Sequence, residues 1–462
     1  MPGVSQSFEV AIIGGGIVGL ALATGLVHRG VRVKLYEKTS SFRPIGAGIG
    51  FTPNTKQALE LLHPGALAAE QKVATANGDP DDPNDWLRYL DGFHHTNDEA
   101  DEETLLYELY TGYRGFEGCV RADFLNELLK LIPDGVIEFG KSIHNILDLG
   151  DERRVLLQFE DGSVAETDAV IGCDGIKSRV RKMMFGADHP ATEPSYNHQY
   201  ALRGVIPMDK AIEALGEYKA RNRHMHLGPD RHVVTVPIAL GKALNVVAFI
   251  PDAEQWPSST AQLTAPADPA IVLDAFKDFG RPVRNLIQTL VDLTPQLTKW
   301  GIFDSVDHPA PTFTEGRICI AGDAAHASSP HHGAGAGMGI EDALVLSELL
   351  AEVAVGTFSS SKSRAEAVRA AFQAYTTTRK ERSQWVAESS RVIGQMFEWR
   401  YPPTMRNWNK CLQELTVRSH RIWHFDQEAM LLAARAEYET LLVRKQLGQA
   451  ENTPATLGTE IS

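Results

Sequence analysis

Residues 8–19, FEVAIIGGGIVG, constrain this chain more than any other stretch, because an apolar run flows directly into Gly14-x-Gly16-x-x-Gly19. Val10, Ile12 and Ile13 read as a buried strand, 17–29 as a helix and 31–36 as the next strand, so a βαβ unit surrounds the glycines. Gly14 permits a tight turn, Gly16 lets the backbone approach a pyrophosphate, and Gly19 lets the helix pack on the strand. The helix N-terminus then aims unpaired N–H groups at the phosphates. Glu37, 18 residues after Gly19, ends the second strand with a carboxylate suited to a ribose, and Lys38 follows it as a further candidate cofactor-binding residue. The pattern calls for a dinucleotide. Taken alone, it does not choose between NAD and FAD.

A second block lies near the other end. The short apolar strand 317–321 runs into Gly322-Asp323, then His326, Pro330 and the loop HHGAGAGMGIEDA. A strand ending in Gly-Asp offers a carboxylate at a tight turn, fit to hold a sugar-like hydroxyl chain. The loop 333–339, with Gly333, Ala334 and Gly335, leads into an expected helix, 338–353, whose positive end faces whatever the loop encloses. It is not a second fingerprint, since the residue three after Gly337 is Ile340.

With these blocks in hand the chain resembles the FAD-dependent single-component aromatic hydroxylases, the family of para-hydroxybenzoate and salicylate hydroxylases. A third block supports the match: the strand 169–173 followed by Asp174-Gly175 and the basic run Ser178-Arg179-Val-Arg181. The resemblance implies a Rossmann-like α/β FAD-binding domain of the para-hydroxybenzoate hydroxylase type, a second domain built on an antiparallel sheet, and C-terminal helices. It implies non-covalent FAD, with Glu37 on the adenosine ribose, Arg121 on the pyrophosphate or ribityl side, Asp323 on the ribityl chain and Asp174 toward flavin and nicotinamide. The glycine loop ending at Gly50 would lie near the flavin ring. NADPH or NADH would act as a transient reductant and O₂ as co-substrate, with a flavin C4a-hydroperoxide attacked by a small phenolic substrate. The sequence is most similar to the salicylate-hydroxylase-like fungal branch, which includes hydroxylases that dearomatise resorcinol-type polyketides. A decarboxylating salicylate-type hydroxylase and an FAD-binding protein without hydroxylase activity are the alternatives.

The expected division is 1–183 for the first part of the FAD domain, 184–300 for the substrate domain, 301–360 for the second part of the FAD domain, and 361–462 for the helices. Within it, the polar and acidic stretch 75–103, with DPDDPND at 79–85, reads as a surface excursion. Segments 196–206, 223–227, 231–240 and 243–251 read as strands, the last two joined at Gly241. A net charge of −14 and the lack of a basic cluster argue against nucleic acid or an anionic membrane surface as partner. No run reaches the ~18 apolar residues of a membrane span, and no leader precedes Phe8, so a cytoplasmic protein is expected. Cys119, Cys173, Cys319 and Cys411 are widely spaced and the histidines show no ligand motif, so no metal is expected.

Phenolate is a better nucleophile than phenol, so the pocket should hold a cation or base near the substrate oxygen. Arg203 is the leading candidate: in HQYALRGVI, alternation puts Ala201, Arg203 and Val205 on one face and Tyr200 and Leu202 on the other. Its other reading is a solvent-facing strand arginine. His226 and His232 on neighbouring strands, and His331 beside the flavin loop, are further catalytic candidates that compete with a structural reading. Tyr107, Tyr110, Tyr113 and Phe116 either line the pocket mouth or pack between domains. Ring position, stereochemistry, NADH versus NADPH and oligomeric state stay open.

Overall fold

The computed structural model describes residues 8–42, 48–78, 86–94, 103–112, 115–257, 262–358 and 360–451, the last seven as backbone. Its first layer is a six-stranded sheet in the order Thr314–Glu315, Ile318–Ile320, Ala169–Gly172, Glu9–Ile13, Arg32–Glu37, Ile137–Phe139. All pairings are parallel except that of the edge hairpin Thr314–Glu315. Glu9–Ile13 lies between the strand that follows it and one formed about 160 residues later. The chain order therefore reverses beside the glycine turn, which is where open parallel sheets leave a ligand crevice.

Helix Ile17–His28 packs on this sheet beside helix Gly335–Val355, whose inward residues from Gly337 to Val353 are almost continuously buried. The latter helix starts three residues earlier than its composition predicts. Glycine is a poor helix former, yet a Cβ at Gly337 would overlap Thr55 and one at Gly339 would overlap Val18. Close packing between helices outweighs the propensity.

The second layer is an eight-stranded sheet in the order Thr264–Pro266, Thr298–Asp304, Ser195–Pro207, Ala243–Pro251, His232–Ile238, His224–Leu227, Trp86–Asp91, Thr104–Tyr110. Only the pairing of His224–Leu227 with Trp86–Asp91 is parallel. This corrects the reading of 75–103 as a surface excursion: Trp86–Asp91 is an inner strand of the sheet, and its register with a distant strand has no local sequence signal. Segments 79–85 and 95–102 lie outside the described residues.

One face of the large sheet, through Leu202, Ile206, Val246 and Ala248, packs on helices Met208–Leu215, Pro269–Ala275 and Arg281–Asp292. The other face looks toward the nucleotide domain and the C-terminal helices Ser361–Phe397 and Trp408–Trp423. Among the described residues no helix is long and apolar enough to cross a membrane.

Candidate active site

Two cavities hold the candidate residues, an outer one in the nucleotide domain and an inner one between that domain and the large sheet. The outer one, about 260 Å³, is walled by residues 14–16, Glu37, Lys38, Arg121, Asp174 and Gly175. Gly14 takes φ +105°, and a Cβ there would stand 2.6 Å from the Cys173 carbonyl oxygen, so the turn requires glycine. Glu37 accepts the Gly15 N–H at 2.7 Å and the Thr39 N–H and hydroxyl at 2.9 Å each. It ties the turn to the strand end and keeps lone pairs for a ribose. Helix Ile17–His28 has no side-chain cap, so its first N–H groups point at the cavity.

Arg121 begins helix Arg121–Leu129, with Nη2 3.9 Å from where a Gly16 Cβ would stand. Burial lowers its pKa, while Asp323 and Glu37 pull it back up. These carboxylates offset the unfavourable position of a cation at a helix start. Arg121 thus links the outer cavity to the inner one. Asp174 stands at the rim, where its carboxylate accepts the Ser178 hydroxyl at 2.6 Å and the Arg179 N–H at 2.7 Å. Those bonds cap helix Arg179–Phe185, a local duty the sequence reading did not separate from cofactor binding.

The inner cavity, about 330 Å³, holds Arg203 and Asp323 between apolar walls. Asp323 follows Gly322 at φ +61°, a turn that hangs on Asp342. Asp342 accepts the Gly322 N–H at 2.9 Å, His326 Nε2 lies 2.5 Å from it, and Arg379 Nε donates to it at 2.8 Å. Asp323 is exposed to the cavity rather than to bulk water: burial raises its pKa, with His326, Arg181 and Arg121 opposing. The uncapped N-terminus of helix Gly335–Val355 opens on the same space, with Gly333, Gly335 and Ala336 in the lining. Ala334 does not line it; its side chain is buried in the core beside Met338.

Arg203 faces this cavity and not solvent. Its register partner is Val247, which pairs in turn with Val234, and both valines line the space. Burial lowers the Arg203 pKa. Nε is buried with no hydrogen-bond partner, no ion pair involves the residue among the described ones, and the Trp300 ring lies 5.3 Å away. Gly50 also lines the cavity, its backbone against the Phe116 ring.

The histidines correct the sequence reading. His226 pairs with Val233, on the face turned away from the cavity, and its Nδ1 lies 2.6 Å from Glu103. His232 shares a face with Val234 and Val236, but the Phe249 ring covers it at 4.4 Å and 11°. Burial pushes its pKa down to about 3, too weak a base to hold a phenol proton. His331 sits behind the same phenylalanine, ring centroids 4.8 Å apart, and lines an adjoining cavity rather than the inner one. Burial and then His232 hold it well below the usual histidine range. Of the aromatic run, only Phe116 lines the inner cavity; Tyr107 stacks on Tyr89, Tyr110 is exposed, and Tyr113 lies outside the described residues. The sequence reading missed Phe249, Arg223 and the pairing of Glu341 and Asp342 with Arg379 and Arg382. A buried-looking Glu-Asp pair inside an otherwise apolar helix was the available signal for the last.

The set fits a dinucleotide extended from Glu37 past Arg121 to Asp323, with two uncapped helix N-termini facing its route. Residues 7–390 match the family described as FAD binding domain. The chain is 51% identical over 445 residues to the FAD-dependent monooxygenase pigN of Monascus ruber, covering 96% of this chain and 100% of that one. It is 41% identical over 458 residues to a salicylate hydroxylase of Sarocladium schorii, covering 97% and 94%. A solved salicylate hydroxylase substrate complex shares the fold with a TM-score of 0.79 at 31% identity, over 93% of this chain and 98% of that one.

Proposed function

The chain belongs to the FAD binding domain family and is an FAD-dependent monooxygenase of the salicylate-hydroxylase-like group; on that premise we propose that it uses NAD(P)H and O₂ to hydroxylate an electron-rich phenol. The substrate is a resorcinol-type polyketide, which loses aromaticity where the attacked ring carbon already bears a carbon substituent. The observation that carries this reading is Arg203, a buried guanidinium without a counter-ion among the described residues, facing an apolar cavity shared with Asp323. A buried cation is costly unless an anion joins it, and a phenolate oxygen is such an anion.

Bound FAD supplies the oxygen-activating chemistry. Glu37, Lys38, Arg121 and Asp323 would hold it, with Gly14, Gly16, Gly19, Gly333 and Gly335 letting backbone come close. Arg203 favours the ionised phenol and fixes its oxygen, since a cation in a low-dielectric site lowers the pKa of an adjacent acid. Val234, Val236, Ile238 and Phe249 exclude water, which protects reactive oxygen species from wasteful release.

The purified yellow protein should oxidise NAD(P)H faster when a resorcinol aldehyde is added, giving a product heavier by one oxygen atom. Arg203→Ala should keep its FAD yet lose about 10- to 100-fold in kcat/KM, the worth of a charged hydrogen bond, with Arg203→Lys between. Wild-type rate and coupling in Arg203→Ala would overturn the assignment. The salicylate-hydroxylase likeness favours a second reading, decarboxylating hydroxylation; salicylate turnover with stoichiometric CO₂, and none with resorcinol aldehydes, would select it.

A further inference from the structure

Beyond the ring site lies a second cavity of about 90 Å³, which shares Phe116, Val234, Phe249 and Pro330 with the inner one. The two are neighbouring compartments around the same side chains. Its walls are apolar, with Met225 from the sheet and Leu415 and Trp423 from the C-terminal helix Trp408–Trp423. Into it comes one cation, Arg223, just ahead of strand His224–Leu227 and on the face of Met225.

Arg223 is fully enclosed. Its Nη1 donates to the Phe116 carbonyl and its Nη2 to the Trp86 carbonyl at 3.5 Å, while its Nε is buried without a partner. The guanidinium lies 4.5 Å from the centre of the Phe116 ring. No carboxylate pairs with it among the described residues; Glu117, the nearest influence of that kind, pairs with Lys56. Burial drives its pKa down to about 9. His331 and His332, which share this lining, are held neutral by burial. A buried polar donor left unused costs stability, and a hydrophobic cavity beside a ring site has the form of a subsite for a ring substituent.

We propose that this cavity is a side-arm subsite, in which Arg223 donates to a single carbonyl-type oxygen, a ketone or its enolate, at the end of a short apolar arm on the phenol. The inference rests on the phenol-hydroxylase reading and narrows its substrate class. Both Nη atoms of Arg223 already donate to backbone carbonyls, which offsets part of its charge, and the one donor nitrogen left open, Nε, suits a single C=O oxygen and not the paired N–H fork that a carboxylate would take. Arg203 and Arg223 would then read the two ends of one elongated substrate: the ring oxygen and the arm oxygen.

The holoenzyme is titrated with resorcinol aldehydes bearing a propyl, an acetonyl or a carboxymethyl arm, or none, and Kd is read from the perturbed flavin spectrum. Wild type should bind the acetonyl probe about tenfold or more tighter than the propyl probe. Arg223→Leu should bring that ratio close to one, and Arg223→Lys should retain part of it. Ser419→Leu, which fills the cavity from the C-terminal helix, should weaken both the propyl and acetonyl probes relative to the unarmed one, and it tests the subsite even if Arg223→Leu does not fold. An unchanged ratio in Arg223→Leu, or a larger Arg223-dependent preference for the carboxymethyl arm, would overturn the proposal. Hydroxylation without arm discrimination refutes the subsite alone; arm discrimination without hydroxylation of any probe refutes the activity and leaves the subsite standing.

Discussion

Replacing Arg379 with leucine tests how the flavin-side turn is held. Glu341 and Asp342 are consecutive and fully buried, an arrangement that only cations can stabilise. Arg379 Nη1 donates to Glu341 at 2.5 Å and Nε to Asp342 at 2.8 Å, and Arg382 donates twice to Glu341 at 2.9 Å. In Arg379→Leu, Glu341 keeps Arg382, Asn54 and Gln427, but Asp342 keeps only the Gly322 N–H and His326. Leaving a buried charge without its partner costs about 3–5 kcal/mol. An unfolding entropy of roughly 2.1 cal/mol/K per residue gives a chain of this length about 1 kcal/mol per degree, so Tm should fall by about 3–5 °C. Burial pushes both carboxyls up, but Arg379 and Arg382 overcome it at Glu341 and hold it at about 2, while His326 and then Arg379 hold Asp342 well below the usual carboxylate range. A depressed folded-state pKa stabilises above the unfolded value of about 4 and loses that stability as pH falls through the folded one. The gap between wild type and variant should therefore be widest near neutrality and narrow below about pH 4. Because Gly322 hangs on Asp342, flavin occupancy should fall too. Thermal melts at neutral and acidic pH, with the flavin-to-protein ratio, check this; a neutral-pH Tm within about 1 °C of wild type with full flavin would refute the reasoning.

Asp323→Ala should raise the FAD dissociation constant about tenfold or more, the loss of a charged hydrogen bond. Apo Asp323→Ala should melt no lower than apo wild type, because it also removes a desolvated carboxylate; unchanged flavin affinity by equilibrium titration would count against the ribityl role. Glu398→Gln acts in the opposite pH range. Burial lifts Glu398 to about 8 against Arg400 and Gln199, so folding favours its protonated form and stability falls as pH rises from about 4 toward 8. The glutamine variant should gain in Tm over wild type above pH ~8 and lose that gain toward pH ~5, and melts showing no such trend would contradict the assigned burial.

The nucleotide half was legible because its signals are local. A continuous apolar run ahead of the glycines identifies Glu9–Ile13 and the glycine spacing places helix Ile17–His28 after it, the turn needs glycine at Gly14 whatever surrounds it, and Gly322-Asp323 is a strand end recognisable within six residues. Alternation also put Arg203 opposite Leu202, and that side proved to be the cavity side. The same rule could not sort the histidines. Period two divides His224 and His226 from Met225 and Leu227, but which set meets the cavity depends on where strand Trp86–Asp91 and the C-terminal helices come to rest. His232 had the right face and was still lost to the site, because Phe249 from the neighbouring strand lies across it. Arg223 looked like one more strand arginine until a helix some 190 residues away enclosed it. The pairing of Arg379 with Glu341 and Asp342 likewise joins two helices whose contact no periodicity records. Backbone sterics and side-chain period act over a few residues and can be read along the chain; desolvation, which decides whether a charge is a ligand site, a core ion pair or a solvated ornament, depends on everything that packs around it.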